Sequence, residues 1–258
     1  MLWLFSKRAK KHNARVWHDH SPGAIAERLQ AGPAKVYLKD SIYGAIDGAV
    51  TTFAVVSGVA GAGLSSGVII ILGLANLLAD GFSMGASNFL GTRAENQRRE
   101  RARADEYAEI DSHPEGEREE IRQIFAAKGF SGDNLEQVVS VITEDRERWV
   151  ETMLQEEHGL SLQVVHPLWA GAVTFLAFML AGILPLATFL LNWGIPDLIA
   201  QPFLWSSIIT GLAFFLIGIC KAQYVEQTWY WSGLETFLVG GLAAFMAYGV
   251  GILLKGII

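Results

Sequence analysis

Residues 67–90 read GVIIILGLANLLADGFSMGASNFL. This run of 24 residues carries one charge, Asp80, and a helix that crosses the hydrocarbon of a bilayer needs about 20 residues. Four more apolar stretches flank it, at 43–63, 168–191, 203–220 and 234–254, so each of the five is about 18–24 residues long. Lipid offers no partner for a backbone N–H or C=O, so a spanning stretch of this kind must be a helix. Buried core helices of a soluble protein are the competing reading, and five stretches of this length count against it.

Charge is distributed to match. Of 258 residues, 51% are hydrophobic and 18% charged, and the mean hydropathy is +0.30. Residues 91–167 hold 18 of the 26 acids and 10 of the 20 bases, and the first 40 residues hold 8 further bases. The remainder is nearly charge-free. These figures exclude a disordered chain, a coiled coil and a typical soluble enzyme. A single cysteine, Cys220, excludes a disulfide framework and a cysteine-built zinc site. A net charge of −6 argues against a nucleic-acid partner.

The fold expected is an all-α integral membrane protein. It has five transmembrane helices and a cytoplasmic helical metal-binding domain between helices 2 and 3. Residues 1–40 form a cytoplasmic tail, 41–91 the first two spans, 92–166 the helical domain and 167–258 the last three spans. Orientation comes from the bases. Lys7, Arg8, Lys10, Lys11 and Arg15 precede the first span, and Arg93, Arg98, Arg99, Arg101 and Arg103 follow the second. The connections at 62–66 and 192–202 carry none. The positive-inside rule then puts the tail and the domain in the cytoplasm of a multi-pass protein of the cell's inner (plasma) membrane. The apolar start at 2–5 is too short for a cleavable signal, and residues 13–39 read as a basic amphipathic piece on the membrane surface. In the domain, the run of helix formers at 93–110 continues the second span, because no Gly or Pro lies between Thr92 and Ala108. Helices over 117–128, from an Asp133 or Asn134 cap through 141, and over 143–157 follow.

Three groups of residues carry candidate chemistry. Within the spans, Asp47 and Thr51 share one helical stripe, and Asn76, Asp80, Met84 and Asn88 share another at four-residue spacing. A carboxylate in hydrocarbon costs at least ~2.5–3.5 kcal/mol and usually faces a cavity. Gly44, Gly48, Gly81 and Gly85 permit close helix approach. Carboxylate, thioether and amide together replace part of a divalent ion's hydration shell, and the sulfur favours a softer first-row metal. The other reading has Asp47 and Asp80 joining helices by hydrogen bonds. In the domain, Glu106 and Glu109, Glu117 and Glu120, and Met153 and Glu157 each share a helical face. Carboxylates gathered at one point need a cation between them. The alternative is a solvated acidic surface laced with Arg118, Arg122, Arg146 and Arg148, with Glu115, Glu119 and Glu156 as solvated neighbours. Glu235 either faces the cavity of Asp80 or sits at the interface as a helix-start acid. His18-Asp-His20 reads first as solvated tail. No nucleophile, phosphate-cradling or dinucleotide motif stands in a fitting context, so no catalytic residue and no permanently bound cofactor is expected.

The stretches DGAVTTFAVVSG at 47–58, ADGFSMG at 79–85 and MLQEEHGL at 153–160, together with the Gly-rich last helix, resemble the vacuolar iron transporter family. The resemblance covers about residues 36–258. It implies a five-helix protomer in a homodimer that moves Fe²⁺, and often Mn²⁺, out of the cytosol in exchange for protons. It implies metal binding by the cytoplasmic helices, where Zn²⁺ or Co²⁺ can also sit. Asp47 and Met84 match the family's ion path. Glu106, Glu109, Glu117, Glu120 and Glu157 match its metal-binding glutamates, and Met153 matches one of two adjacent methionines. Leu154 stands in place of the second methionine. Asn76 stands where plant-type members carry a glutamate, leaving Asp80 or Glu235 for the proton-carrying role. A membrane-anchored iron-storage or ferroxidase protein is the alternative function, although the domain lacks paired Glu-x-x-His motifs.

Overall fold

A computed structural model describes residues 19–31, 37–225 and 227–256. The apolar start at 2–5, the five tail bases and His18 lie outside these residues. The chain divides into two units, residues 1–36 and 37–258. The first contains α1 (Pro22–Ala31), entered through Asp19, whose carboxylate accepts the Ser21 N–H at 2.9 Å.

The second unit is helical throughout, with no strand among the described residues. Five of its helical segments are long and apolar enough to span a membrane. They begin with α2 (Leu38–Gly61) and α3 (Ser66–Ser112). Between the second and third spans come α4 (Pro114–Ala127), α5 (Gly132–Glu144) and α6 (Arg146–Glu156). The third span comprises α7 (Pro167–Gly182) and α8 (Ala187–Gly194). The last two are α9 (Pro202–Val225) and α10 (Trp229–Leu254).

The 47-residue α3 runs without a break from the second span into the interspan domain, as its run of helix formers predicts. It ends where Pro114 forces the preceding residue off helical geometry, and His113 sits at φ −136°, ψ 51°. The expected uninterrupted third span is instead broken. Pro185 has no N–H to donate, and a 3₁₀ turn at Leu184–Leu186 separates α7 from α8. The Ser206 hydroxyl of α9 donates to the Pro185 carbonyl at 2.6 Å, giving the break a partner away from water. The domain's later helices also divide differently from expectation. Ser131, not Asp133 or Asn134, precedes α5, and Asp133 lies in the first turn, where an acid complements the helix dipole. Asp145 turns extended and caps α6 by accepting the Arg148 N–H at 2.9 Å, so α5 stops at Glu144 and α6 starts at Arg146.

α2 is the most enclosed spanning helix. Half of its apolar window is buried against other helices, compared with 17% for α10. Its fully buried Ala49 and Val56 meet Leu77 of α3, Phe178 of α7 and Phe214 of α9. Glycines set the spacing. A Cβ on Gly48 would collide with the Phe178 backbone, and one on Gly182 would lie 2.8 Å from the Gly48 carbonyl oxygen. The domain has its own core around Ile121, Val150, Met153 and Leu154. Its return segment is clamped to α3. Asn96 donates to the Val165 carbonyl and Arg99 to the Gln163 carbonyl, both at 2.8 Å.

Candidate metal centre

The domain's candidate glutamates come from three helices. Glu106 and Glu109 project from the end of α3, Glu117 and Glu120 from α4, and Glu157 from the end of α6, and their charges act on one another. Two of them are buried. Glu106 is 2% exposed and Glu117 4%, whereas Glu109, Glu120 and Glu157 face solvent. One Glu106 oxygen meets His158 Nε2 at 2.7 Å. The second oxygen, and one Glu117 oxygen, are buried without a partner. An uncompensated buried carboxylate oxygen is costly, and the remedy is protonation, a metal or a pairing charge.

The bases do not supply that remedy. Arg122 pairs with Glu119 and Glu136, Arg146 with Asp111, Arg103 with Glu147, and Lys128 with Glu156. Arg148 donates to the Val141 carbonyl, and Arg118 lies over the Trp149 ring. Among the described residues no Lys or Arg pairs with Glu106, Glu109, Glu117, Glu120 or Glu157. The described bases therefore engage the surrounding acids, the Trp149 ring and backbone carbonyls rather than these five glutamates. Met153 is fully buried in the domain core.

Burial first, and then the neighbouring Glu120, Glu106, Glu109 and Glu157 carboxylates, push Glu117 from its ordinary 4.5 up to about 7. Burial and the neighbouring Glu157 and Glu109 also raise Glu120. A folded value above the unfolded one favours the metal-free fold most strongly below pH 4.5, and that contribution is lost as pH rises through about 7. A divalent cation bound beside Glu117 would take the proton's place and reverse that balance. One competing proton at that value predicts an affinity for Zn²⁺ about tenfold higher at pH 8 than at pH 6. Calorimetric titration of the detergent-solubilised protein in two buffers of different ionisation enthalpy measures both the rise and the proton released. A flat profile with no proton release would show that Glu117 is not coupled to metal.

In the spans, Asp47 of α2 and Asp80 of α3 are both half-buried. No hydrogen bond from a described residue reaches either carboxylate. Met84 is half-buried against the membrane core. The Asn76 amide nitrogen is buried without a partner. The rest of the polar stripes is engaged elsewhere. Asn88 donates to the Ala170 carbonyl and the Thr174 hydroxyl of α7, at 3.2 and 2.7 Å. The Thr51 hydroxyl donates to the Asp47 carbonyl at 2.9 Å. Glu235 is exposed and accepts from Lys221 of α9 at 2.7 Å.

His158 is the site residue that sequence reasoning passed over. It stands beside Glu157 within the MLQEEHGL string, and its adjacency to an acid of the cluster was the available signal.

A helical protein with five membrane-length helices and an acid-rich domain between the second and third is a multi-pass membrane protein. The VIT family model matches residues 38–252, and the chain belongs to that family. It is 34% identical to a vacuolar iron transporter of Toxoplasma gondii, over 85% of this chain and 74% of that protein. It is 31% identical to one of Centaurea cyanus, over 83% and 86%. Vacuolar iron transporter 1 of Arabidopsis thaliana is 28% identical, over 82% and 83%.

Proposed function

We propose that this protein transports Fe²⁺, and Mn²⁺ through the same ligands, out of the cytosol in exchange for protons. The observation that carries the metal is the pair of buried, unpartnered oxygens of Glu106 and Glu117 in a glutamate cluster that no Lys or Arg among the described residues neutralises. The names of the relatives point to iron as the cargo. The asymmetry of bases supports a cytoplasmic tail and interspan domain in a plasma-membrane protein.

The domain's glutamates gather the ion and strip part of its water. Asp47 and Met84, with Asp80 beside them, receive it within the membrane. Bound metal favours the ionised carboxylate and a proton favours its release, so both compete for one site, and alternating access then converts a proton gradient into metal export. Asn76 cannot carry a proton, which leaves Asp80 for that step. The functional unit is a homodimer in this reading.

Inverted membrane vesicles loaded with the protein test the reading. Radiolabelled Fe²⁺ and Mn²⁺ are expected to accumulate when the lumen is acidic and to stop accumulating when an ionophore collapses the gradient. Uptake indifferent to the gradient would remove proton exchange. Absence of uptake, with oxygen consumed on Fe²⁺ addition, would assign the domain to iron storage or oxidation.

A further inference from the structure

We infer that His158 is a nitrogen ligand of the interspan metal site and biases that site toward Fe²⁺, Co²⁺ and Zn²⁺ over Mn²⁺, an inference that rests on reading the glutamate cluster as a metal centre.

The backbone fixes where this imidazole sits. At the end of α6 the Glu157 and His158 N–H groups both donate to the Met153 carbonyl, at 3.0 and 3.3 Å. Gly159 then takes φ +62°, a left-handed turn that suits glycine, and the Leu160 N–H returns to the Leu154 carbonyl at 2.8 Å. This tight reversal holds His158 against the side of the cluster built by α3. Its Nε2 lies 2.7 Å from a Glu106 oxygen, and one donor atom each from Glu106, Glu157 and His158 lies within 4.8 Å of the others. Ligands at about 2.0–2.2 Å from a shared ion lie about 3–4 Å apart, which these side chains reach with small rotations.

A purely structural role for His158 accounts for less. Its contact with Glu106 satisfies one oxygen and leaves the other buried and alone, as is the Glu117 oxygen. A cation held between the three groups satisfies the carboxylates and uses the imidazole lone pair as well. Chemistry then sets the preference. Carboxylate and water suit Mn²⁺, whereas imidazole suits Fe²⁺ and Zn²⁺, and affinities rise from Mn²⁺ through Fe²⁺ to Co²⁺.

The test uses the full chain in detergent, titrated anaerobically with Co²⁺, Zn²⁺ and Mn²⁺, as wild type, His158→Leu and His158→Gln. Gln keeps a hydrogen-bond donor for Glu106 but offers no imidazole nitrogen. Both variants are expected to lose about tenfold or more in Co²⁺ and Zn²⁺ affinity, as removal of a ligating or supporting group does, and less than about threefold for Mn²⁺. X-ray absorption at the zinc edge is expected to show imidazole scattering in wild type and to lose it in both variants. Equal losses for all three metals, rescue by Gln, or unchanged scattering would each overturn the inference. A wild type that binds none of the three metals would overturn the metal centre itself. A wild type that binds them as well as both variants do would overturn the role of His158 alone.

Discussion

Asp47→Ala is expected to abolish metal transport in reconstituted vesicles while leaving insertion and assembly intact. Asp47 lies on the most enclosed spanning helix, and its carboxylate has no hydrogen-bond partner among the described residues. An acid so placed in hydrocarbon costs stability. The expected fall in initial rate is at least about 100-fold, since loss of a direct ligand exceeds the 10–100-fold typical of groups that only support one. Thermal stability separates the two roles. A carboxylate that binds cargo leaves the melting temperature of the metal-free protein unchanged or raised when it is removed. One that holds helices together lowers it. Full transport by the Ala variant would remove Asp47 from the ion path.

Gly48→Leu is expected to prevent assembly of the membrane core. The helices α2 and α7 meet here backbone to backbone, and even a Cβ at Gly48 would collide with the carbonyl and Cα of Phe178. Overpacking among side chains costs about 1–3 kcal/mol, and backbone atoms yield less readily than side chains, so a larger loss follows. Phe178 is fully buried and Gly182 packs on the Gly48 carbonyl, so displacement at this point propagates through α7. The measurement is the fraction of monodisperse protein recovered after detergent extraction. Gly91→Ala is the control, because no atom stands within 4 Å of a Cβ there and alanine favours a helix. Equal recovery of both variants would show that the α2–α7 contact is not as close as described.

Much of this protein was legible before its fold. Five apolar runs had to become helices, because hydrocarbon leaves the backbone no other means of satisfying its polar groups. The continuity of α3 followed from a run of helix formers uninterrupted by Gly or Pro. Three-residue spacing on α3 and α4 placed Glu106 with Glu109 and Glu117 with Glu120, since local periodicity decides which side chains share a face. What lay beyond that reach depended on contacts between elements. Sequence spacing does not distinguish buried Glu106 and Glu117 from exposed Glu109 and Glu120, because burial is decided by how α3 and α4 pack over Ile121 and Val150. Likewise, only the neighbour across a helix pair could engage Asn88 with α7, pair Glu235 with Lys221 and seat Ser206 on the Pro185 carbonyl. The amino-acid order alone determined the five membrane-length spans and the unbroken run of α3, because both follow from local composition. The tertiary structure decided which acids meet, which are sealed from water, and that His158 stands among them, because those outcomes depend on contacts between residues far apart in the chain.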